Sequence, residues 1–274
     1  MTLVLVTGCS SGIGLATAVE FARRGCSVVA TMRDLGRSGA LRDALTAAGS
    51  QADVRVLDVA ADESVSSAVT SIEADHGGID VVVSNAGLGI DGTTEELTLD
   101  DFRTSFETNV LGSVRLLHAV LPAWRARSGG RFVAVSSTAG VLGTPFNDAY
   151  CASKFALEGL LESLHPVAAV QGIFISLVEP GPVTGDFVTR QHAPAARSAD
   201  GPYAAAQARF QAVQDAGYRT AQSNEEIAAV LWRVANVDAP VFRYQTSEEV
   251  SKLVGLKLKD VTGERVTGLT KHWT

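Results

Sequence analysis

Six short runs of mostly apolar, β-branched residues, at 3–6, 27–31, 54–57, 81–84, 131–136 and 173–178, recur along the chain with helix-length segments between them. Being nearly continuous rather than alternating, they suit strands buried on both faces, as in a parallel sheet covered by helices. Helical stretches are expected to begin near Gly12, Gly36, Asp62, Asp100, Asn109 and Asp148, each long enough to return over the sheet as a right-handed crossover. A last strand is expected at 241–244. The chain therefore reads as α/β and doubly wound, with about seven parallel strands flanked by helices on both faces, in one domain spanning 1–274.

Several helix starts carry their own caps. Thr98-Leu99-Asp100-Asp101 places an acid at the third helical position, and Ser223-Asn224-Glu225-Glu226 and Thr246-Ser247-Glu248-Glu249 approach the S/T-x-x-E capping box. The strand rhythm lapses at about 185–222, where Pro194, Gly201, Pro202 and alanine-rich stretches take over. Following the sixth strand, that segment is expected to be a mobile insertion acting as a substrate lid, or else a surface excursion.

Composition closes off several classes. With 23 basic and 30 acidic residues the net charge is −7, which repels phosphate backbones, so no nucleic-acid partner is expected. No apolar run approaches the roughly 18 residues of a membrane helix, and none is expected to span a bilayer. The first residues lack a basic n-region and read as a core strand, not a signal peptide. Cys9, Cys26 and Cys151 are odd in number and form no C-x-x-C, while His76, His118, His165, His192 and His272 show no metal-ligand spacing. A cytoplasmic location and no metal are expected.

Thr7-Gly8-Cys9-Ser10-Ser11-Gly12-Ile13-Gly14 joins the first strand to the first helix. Glycines there let the backbone turn tightly and approach a pyrophosphate, met by free N–H groups at the helix N-terminus. By itself this string also describes an ordinary strand-to-helix turn. Three further segments sharpen it: Asn85-Ala86-Gly87 after the fourth strand, Asn109 in a helical stretch, and Ser137 with Tyr150-Cys151-Ala152-Ser153-Lys154 after the fifth.

In order and separation these motifs resemble the short-chain dehydrogenase/reductase family, over about the first 185 residues. The stretches at 7–14 and 145–160 look most like the branch that holds estradiol 17β-hydroxysteroid dehydrogenase and the retinol dehydrogenases. The resemblance implies a Rossmann fold, a nicotinamide cofactor and a homodimer or homotetramer built partly from the helices of Asn109 and Asp148. It makes Gly8, Ser10, Ser11, Gly12, Ile13, Gly14, Asn85, Ala86 and Gly87 cofactor-binding, with Asp58 and Val59 flanking adenine, unless Asp58 is only a helix N-cap. Pro180, Gly181, Val183 and Thr184 resemble the segment that meets the nicotinamide, although Pro-Gly is also a common turn.

Cofactor choice rests on the end of the second strand, where an acid would bind the NAD ribose and a base the NADP 2′-phosphate. Met32 stands where the family's acid falls, and Arg33 offers a charged planar fork, so NADP(H) is favoured and NAD(H) left possible. The alternative is that Arg33 merely pairs with Asp34 or solvent. Ser11 is expected to add a hydroxyl near the same phosphate.

Tyr150 and Lys154, at i and i+4, share a helix face. A free phenol has a pKa of about 10, and a neighbouring ammonium and oxidised nicotinamide are expected to lower it, making Tyr150 the general acid or base. Lys154 would also hold the nicotinamide ribose. Ser137 is expected to donate to the substrate oxygen, with Ser136 its rival by one place. By resemblance Asn109 completes a catalytic set, holding a water in a relay to Lys154; it could equally end one helix and cap the next. Cys151 reads as a packed residue. Val141, Leu142, Phe146 and Phe187 flank the substrate end as pocket walls or as core.

The activity expected is hydride transfer between NADP(H) and a hydrophobic secondary alcohol or ketone, steroid-like or otherwise lipophilic. The segment at 185–222 departs from the steroid branch, so retinoid, aldehyde, sugar or ketoacyl substrates stay open, as does a non-catalytic NADP sensor.

Overall fold

The computed structural model describes residues 1–185 and 201–264. Its sheet is parallel throughout, in the order β3-β2-β1-β4-β5-β6-β7: β1 Leu3–Val6, β2 Ser27–Met32, β3 Asp53–Val56, β4 Val81–Ser84, β5 Gly130–Val135, β6 Ile173–Glu179 and β7 Arg243–Gln245. The helices are α1 Gly12–Arg23, α2 Gly39–Ala47, α3 Asp62–His76, α4 Leu99–Phe106, α5 Gly112–Arg127, α6 Asp148–Ala169, α7 Ala204–Tyr218, α8 Asn224–Asn236 and α9 Glu248–Gly255. The doubly wound fold expected from the apolar runs is the one found.

The continuous runs are explained by two cores, one on each face. Leu3 and Leu5 of β1 pack with Val120, Trp124 and Leu157 of α5 and α6; Val4 and Val6 pack with Phe21, Ile227 and Leu231 of α1 and α8. Each such side chain contributes about 1.5–3 kcal/mol by burial, so a polar residue on either face of β1 would be costly. Strand order reverses between β1 and β4, which places a crevice beyond their carboxyl ends.

The differences from these expectations have identifiable causes. The second helix starts at Gly39 and not near Gly36, because the Asp34 carboxylate accepts from Gly36 N–H at 2.8 Å and closes a 3-10 turn, Leu35–Arg37, first. No helix begins at Asn109. There α4 runs through a π-helical stretch, Glu107–Leu111, into α5, and the Asn109 side chain bonds to Leu88 and caps nothing. The last strand begins at Arg243, two residues later than expected, with Phe242 O still accepting from Leu177 N–H at 2.7 Å.

Capping boxes form at Thr98/Asp101 and Ser223/Glu226. The third, at Thr246/Glu249, does not. Ser247 caps α9 by accepting from Val250 N–H at 3.2 Å, since the Thr246 hydroxyl is taken by Gln222 Oε1. Of the segment 185–222, residues 201–222 are described and include α7. Its ends meet: Val183 bridges Gln222, with Thr184 N–H donating to Gln222 O at 2.8 Å. No helix of the described residues is long and apolar enough to cross a membrane.

Candidate active site

The carboxyl ends of β1 to β6 supply the site. From β1 the chain enters the glycine turn, held to the end of β2 by Cys9 N–H donating to Thr31 O at 2.9 Å. Gly8 and Gly12 take φ of +74° and +60°. Gly14 has a different reason to be glycine: a Cβ there would lie 2.3 Å from Gly8 O and 2.4 Å from Asn85 Nδ2. α1 follows with no acid in its first turn and no cap from the Ser11 side chain, so its positive end is left for an external anion. Ser10 is half-buried in the turn and Ile13 packs into the core beside it. A backbone that only glycine can build, at an uncapped helix start, fits the pyrophosphate of a dinucleotide.

Beyond β4, Asn85 N–H and Ala86 N–H both donate to Thr7 Oγ1 at 3.0 Å, and Asn85 Nδ2 donates to Thr7 O at 2.9 Å. Thr7 was absent from the residues singled out in the sequence, although it opens the glycine motif; it locks 85–87 against the turn. Gly87 is closely packed: a Cβ there would lie 3.2 Å from Asn109 Oδ1, a tight contact, and 3.8 Å from Lys154 Nζ.

Asp58 is not an N-cap. Its Oδ1 accepts from Ala60 N–H at 3.0 Å, while α3 begins after Ala61 without a side-chain cap. Val59 is buried against Gly112. At the end of β2, Met32 is buried and Arg33 exposed. The alternative pairing with Asp34 does not form: Asp34 holds Gly36, and among the described residues Arg33 makes no ion pair.

The carboxyl end of β5 faces α6. Lys154 Nζ, 5% exposed, donates to Val135 O at 2.8 Å. Ser136 donates to Glu158, whereas Ser137 is hydrogen-bonded to the Tyr150 phenol and accepts from Ala139 N–H at 3.1 Å. The two serines thus face different partners, and the one on Tyr150 is Ser137. Asn109 Nδ2 donates to Leu88 O at 3.0 Å and to Ser153 Oγ at 2.9 Å, and its Oδ1 accepts from Leu88 N–H at 2.9 Å. The π turn around it breaks the usual carbonyl ladder, a distortion frequent at functional sites.

For the protein alone, the shift at Tyr150 runs upward. Burial pushes the Tyr150 phenol up to about 12, opposed by its bond to Ser137 and reinforced by Cys151 and Tyr218. Lys154 Nζ is 5.8 Å from the Tyr150 ring centroid and bonded to Val135, and its own ammonium is pushed down by burial to about 8, with Glu158 opposing. In the protein alone the ammonium therefore does not lower the phenol.

On the substrate side, Phe146 adopts φ of +60° and meets Phe210 of α7 with ring centroids 5.6 Å apart. Val141 is buried with Val250 and Val254 of α9, and Leu142 packs on that cluster. Phe187 lies outside the described residues. After β6, Pro180 O accepts from Thr138 N–H at 2.9 Å, and Gly181 is pressed against Val250. Cys151 is packed, its Sγ accepting from Thr144 N–H at 3.2 Å. Tyr218, which no sequence pattern marked, comes near Tyr150 from the last residue of α7.

Residues 2–195 match the short-chain dehydrogenase family. The chain is 41% identical to retinol dehydrogenase 8 of Bos taurus over 95% of its own length and 86% of the bovine protein's. It is 38% identical to 17-beta-hydroxysteroid dehydrogenase type 1 of Homo sapiens, over 96% of this chain and 82% of the human one. Among solved structures, a short-chain dehydrogenase from Streptomyces avermitilis superposes with a TM-score of 0.81 at 29% identity, covering 99% of this chain and 95% of that one.

Proposed function

The chain belongs to the short-chain dehydrogenase family, an oxidoreductase family that uses nicotinamide cofactors and small-molecule substrates, and from that premise we propose that it moves a hydride between NADP(H) and a hydrophobic secondary alcohol or ketone. The observation that carries this reading is the convergence of Ser137 on the Tyr150 phenol beside the buried Lys154.

When bound, the nicotinamide supplies or takes the hydride. Tyr150 donates its proton to the substrate oxygen in reduction and recovers it in oxidation. A phenol held near 12 stays protonated through neutral pH, which suits the acid role. Ser137 donates a second hydrogen bond to that oxygen as charge develops. Lys154, anchored on Val135 O, holds the nicotinamide ribose with its remaining protons, and Asn109, fixed on Leu88, keeps the π turn in shape for a water that reaches Lys154. Gly8, Gly12 and Gly14 with the start of α1 would take the pyrophosphate, Asp58 and Val59 would flank the adenine, and 180–184 would meet the nicotinamide.

A lipophilic substrate is supported by the Phe146–Phe210 wall and by the names of the relatives, which act on a retinoid and a 17β-hydroxysteroid. Leu142, Phe187 and α7, with 185–222 as its lid, are the remaining candidates for that pocket. Three free cysteines suit a reducing compartment such as the cytoplasm. A homodimer or homotetramer built on α5 and α6 completes the reading.

The test is a panel of all-trans-retinal, a 17-ketosteroid and simple aryl ketones, assayed with NADPH and NADH in parallel. NADPH-dependent reduction of at least one is expected; tight NADPH binding without turnover on any would instead make the protein a nucleotide sensor. NADP preference has its own prediction. Arg33 lacks a protein partner among the described residues, and a charge-assisted bond to a 2′-phosphate is worth about 1.5–3 kcal/mol. Arg33→Ala should raise the KM for NADPH by about 10–150-fold and move that for NADH little; equal changes for both would remove Arg33 as the selector.

A further inference from the structure

Behind Lys154 lies a buried charged cluster that the reaction above does not use. Tyr150, Lys154 and Glu158 recur at i, i+4 and i+8 on one face of α6, so Glu158 sits a turn beyond the lysine. Glu158 is 4% exposed. One oxygen accepts from Ser136, the neighbour of Ser137, and the other accepts from Arg243 Nε at 3.0 Å. Arg243, on β7, also bonds Glu162 of α6 through Nη2. Glu179, the last residue of β6, is 0% exposed, and its Oε2 accepts from Gln245 Nε2 at 2.8 Å. Gln245 and Arg243 are themselves held by the carbonyls of Val261 and Thr262. Gly140 closes the near side, where a Cβ would lie 2.7 Å from Ser136 Oγ and 3.0 Å from Glu158 Oε1.

Glu179 Oε1 is the odd atom. It lies 3.3 Å from Arg243 Nε, but the single hydrogen of that nitrogen serves Glu158, and Oε1 has no hydrogen-bond partner among the described residues. Desolvation penalises a fully buried, ionised carboxylate oxygen that accepts no hydrogen bond. Charge counting points the same way. If every group ionises, Lys154 and Arg243 face three carboxylates, Glu158, Glu162 and Glu179; with Glu179 neutral the cluster balances, and Glu179 gains a hydrogen to donate toward Glu158.

We propose that Glu158 and Glu179 are a one-proton carboxyl pair, Glu179 carrying the proton and Glu158 the charge, and that Glu158 is a positioning residue keeping the buried Lys154 ammonium charged beneath Tyr150. The inference rests on Tyr150–Lys154 being the acid/base pair. Burial raises both carboxyls, Glu179 to about 8, and Glu158 in turn supports the Lys154 ammonium against its own desolvation.

Glu158→Gln keeps the shape and removes the charge. Lys154 then loses its proton more easily, and the alkaline limb of the kcat/KM profile for ketone reduction should move about one pH unit toward acid. Glu179→Gln, whose amide reproduces a neutral acid, should move it much less. Superimposable limbs for Glu158→Gln and the parent would overturn the positioning role; a larger shift for Glu179→Gln would overturn the proton assignment. Should Glu158→Gln fail to fold, urea unfolding of Glu179→Gln is decisive. A carboxyl whose folded pKa is raised binds more protons folded than unfolded between about 4.5 and about 8, so it costs the parent stability as pH rises through that window. The stability of Glu179→Gln relative to the parent should rise across the same window, and a flat difference sinks the pair. Activity surviving in Tyr150→Phe would remove the acid/base reading and leave this stability result standing. An inactive Tyr150→Phe beside an unshifted Glu158→Gln would remove the inference alone.

Discussion

Tyr150→Phe is expected to lower kcat by about 10²–10⁴-fold while nucleotide binding is retained. Phenylalanine fills the same half-buried space on α6 and deletes one hydroxyl, the group bonded to Ser137. The loss is therefore of the proton donor and not of the pocket. Single-turnover rates with the best ketone of the panel, set beside the fluorescence of bound NADPH, separate the two effects. Turnover by Tyr150→Phe within a fewfold of the parent would refute the acid/base assignment, and equal losses in binding would show that the hydroxyl serves the nucleotide instead.

Gly14→Ala is the second large effect. The new methyl carbon would arrive 2.3 Å from a backbone oxygen, Gly8 O, and 2.4 Å from Asn85 Nδ2. Neither is the free end of a flexible chain: Gly8 belongs to the turn, and Asn85 is tied to Thr7 at 2.9 Å. Overpacking of this sort costs about 1–3 kcal/mol or more, and relief must open the gap between the glycine turn and 85–87. Nucleotide affinity should fall about tenfold or more together with the unfolding midpoint. Gly12→Ala makes a sharp control. Its φ of +60° is strained for alanine, yet its nearest neighbour, Asn224 Oδ1, is 3.6 Å away, so it should cost about 1–2 kcal/mol and leave 85–87 in place. Equal behaviour of the two variants would show that close packing at Gly14 is not what the position requires.

Much of the fold is readable in the amino-acid sequence. The limits of β1 and β4 were those of their apolar runs, and two capping boxes sat where their residues stood, because strand burial and helix caps involve neighbours within a few positions. Two of the failures occurred where a distant group outbid a local one. Thr246 gave its hydroxyl to Gln222 and so could not cap α9; Asn109 gave its side chain to Leu88, 21 positions away, and so could not start a helix. Of the site, the motif residues were legible by type and spacing, whereas the bonds of Thr7 to 85–86, the approach of Tyr218 and the Glu158 cluster were not.

The sequence by itself determined a doubly wound parallel sheet, a glycine turn suited to phosphate, and the order Asn109, Ser137, Tyr150, Lys154 along the chain. Periodicity and turn chemistry are properties of short windows, which a sequence displays directly. Tertiary structure alone decided that Ser136 turns to Glu158, which way the phenol and the ammonium shift, and that Arg243 reaches Glu158 across 85 positions. Those outcomes depend on how many atoms crowd a group and on which partners remain unclaimed, and both are settled only when strands far apart in the chain close side by side.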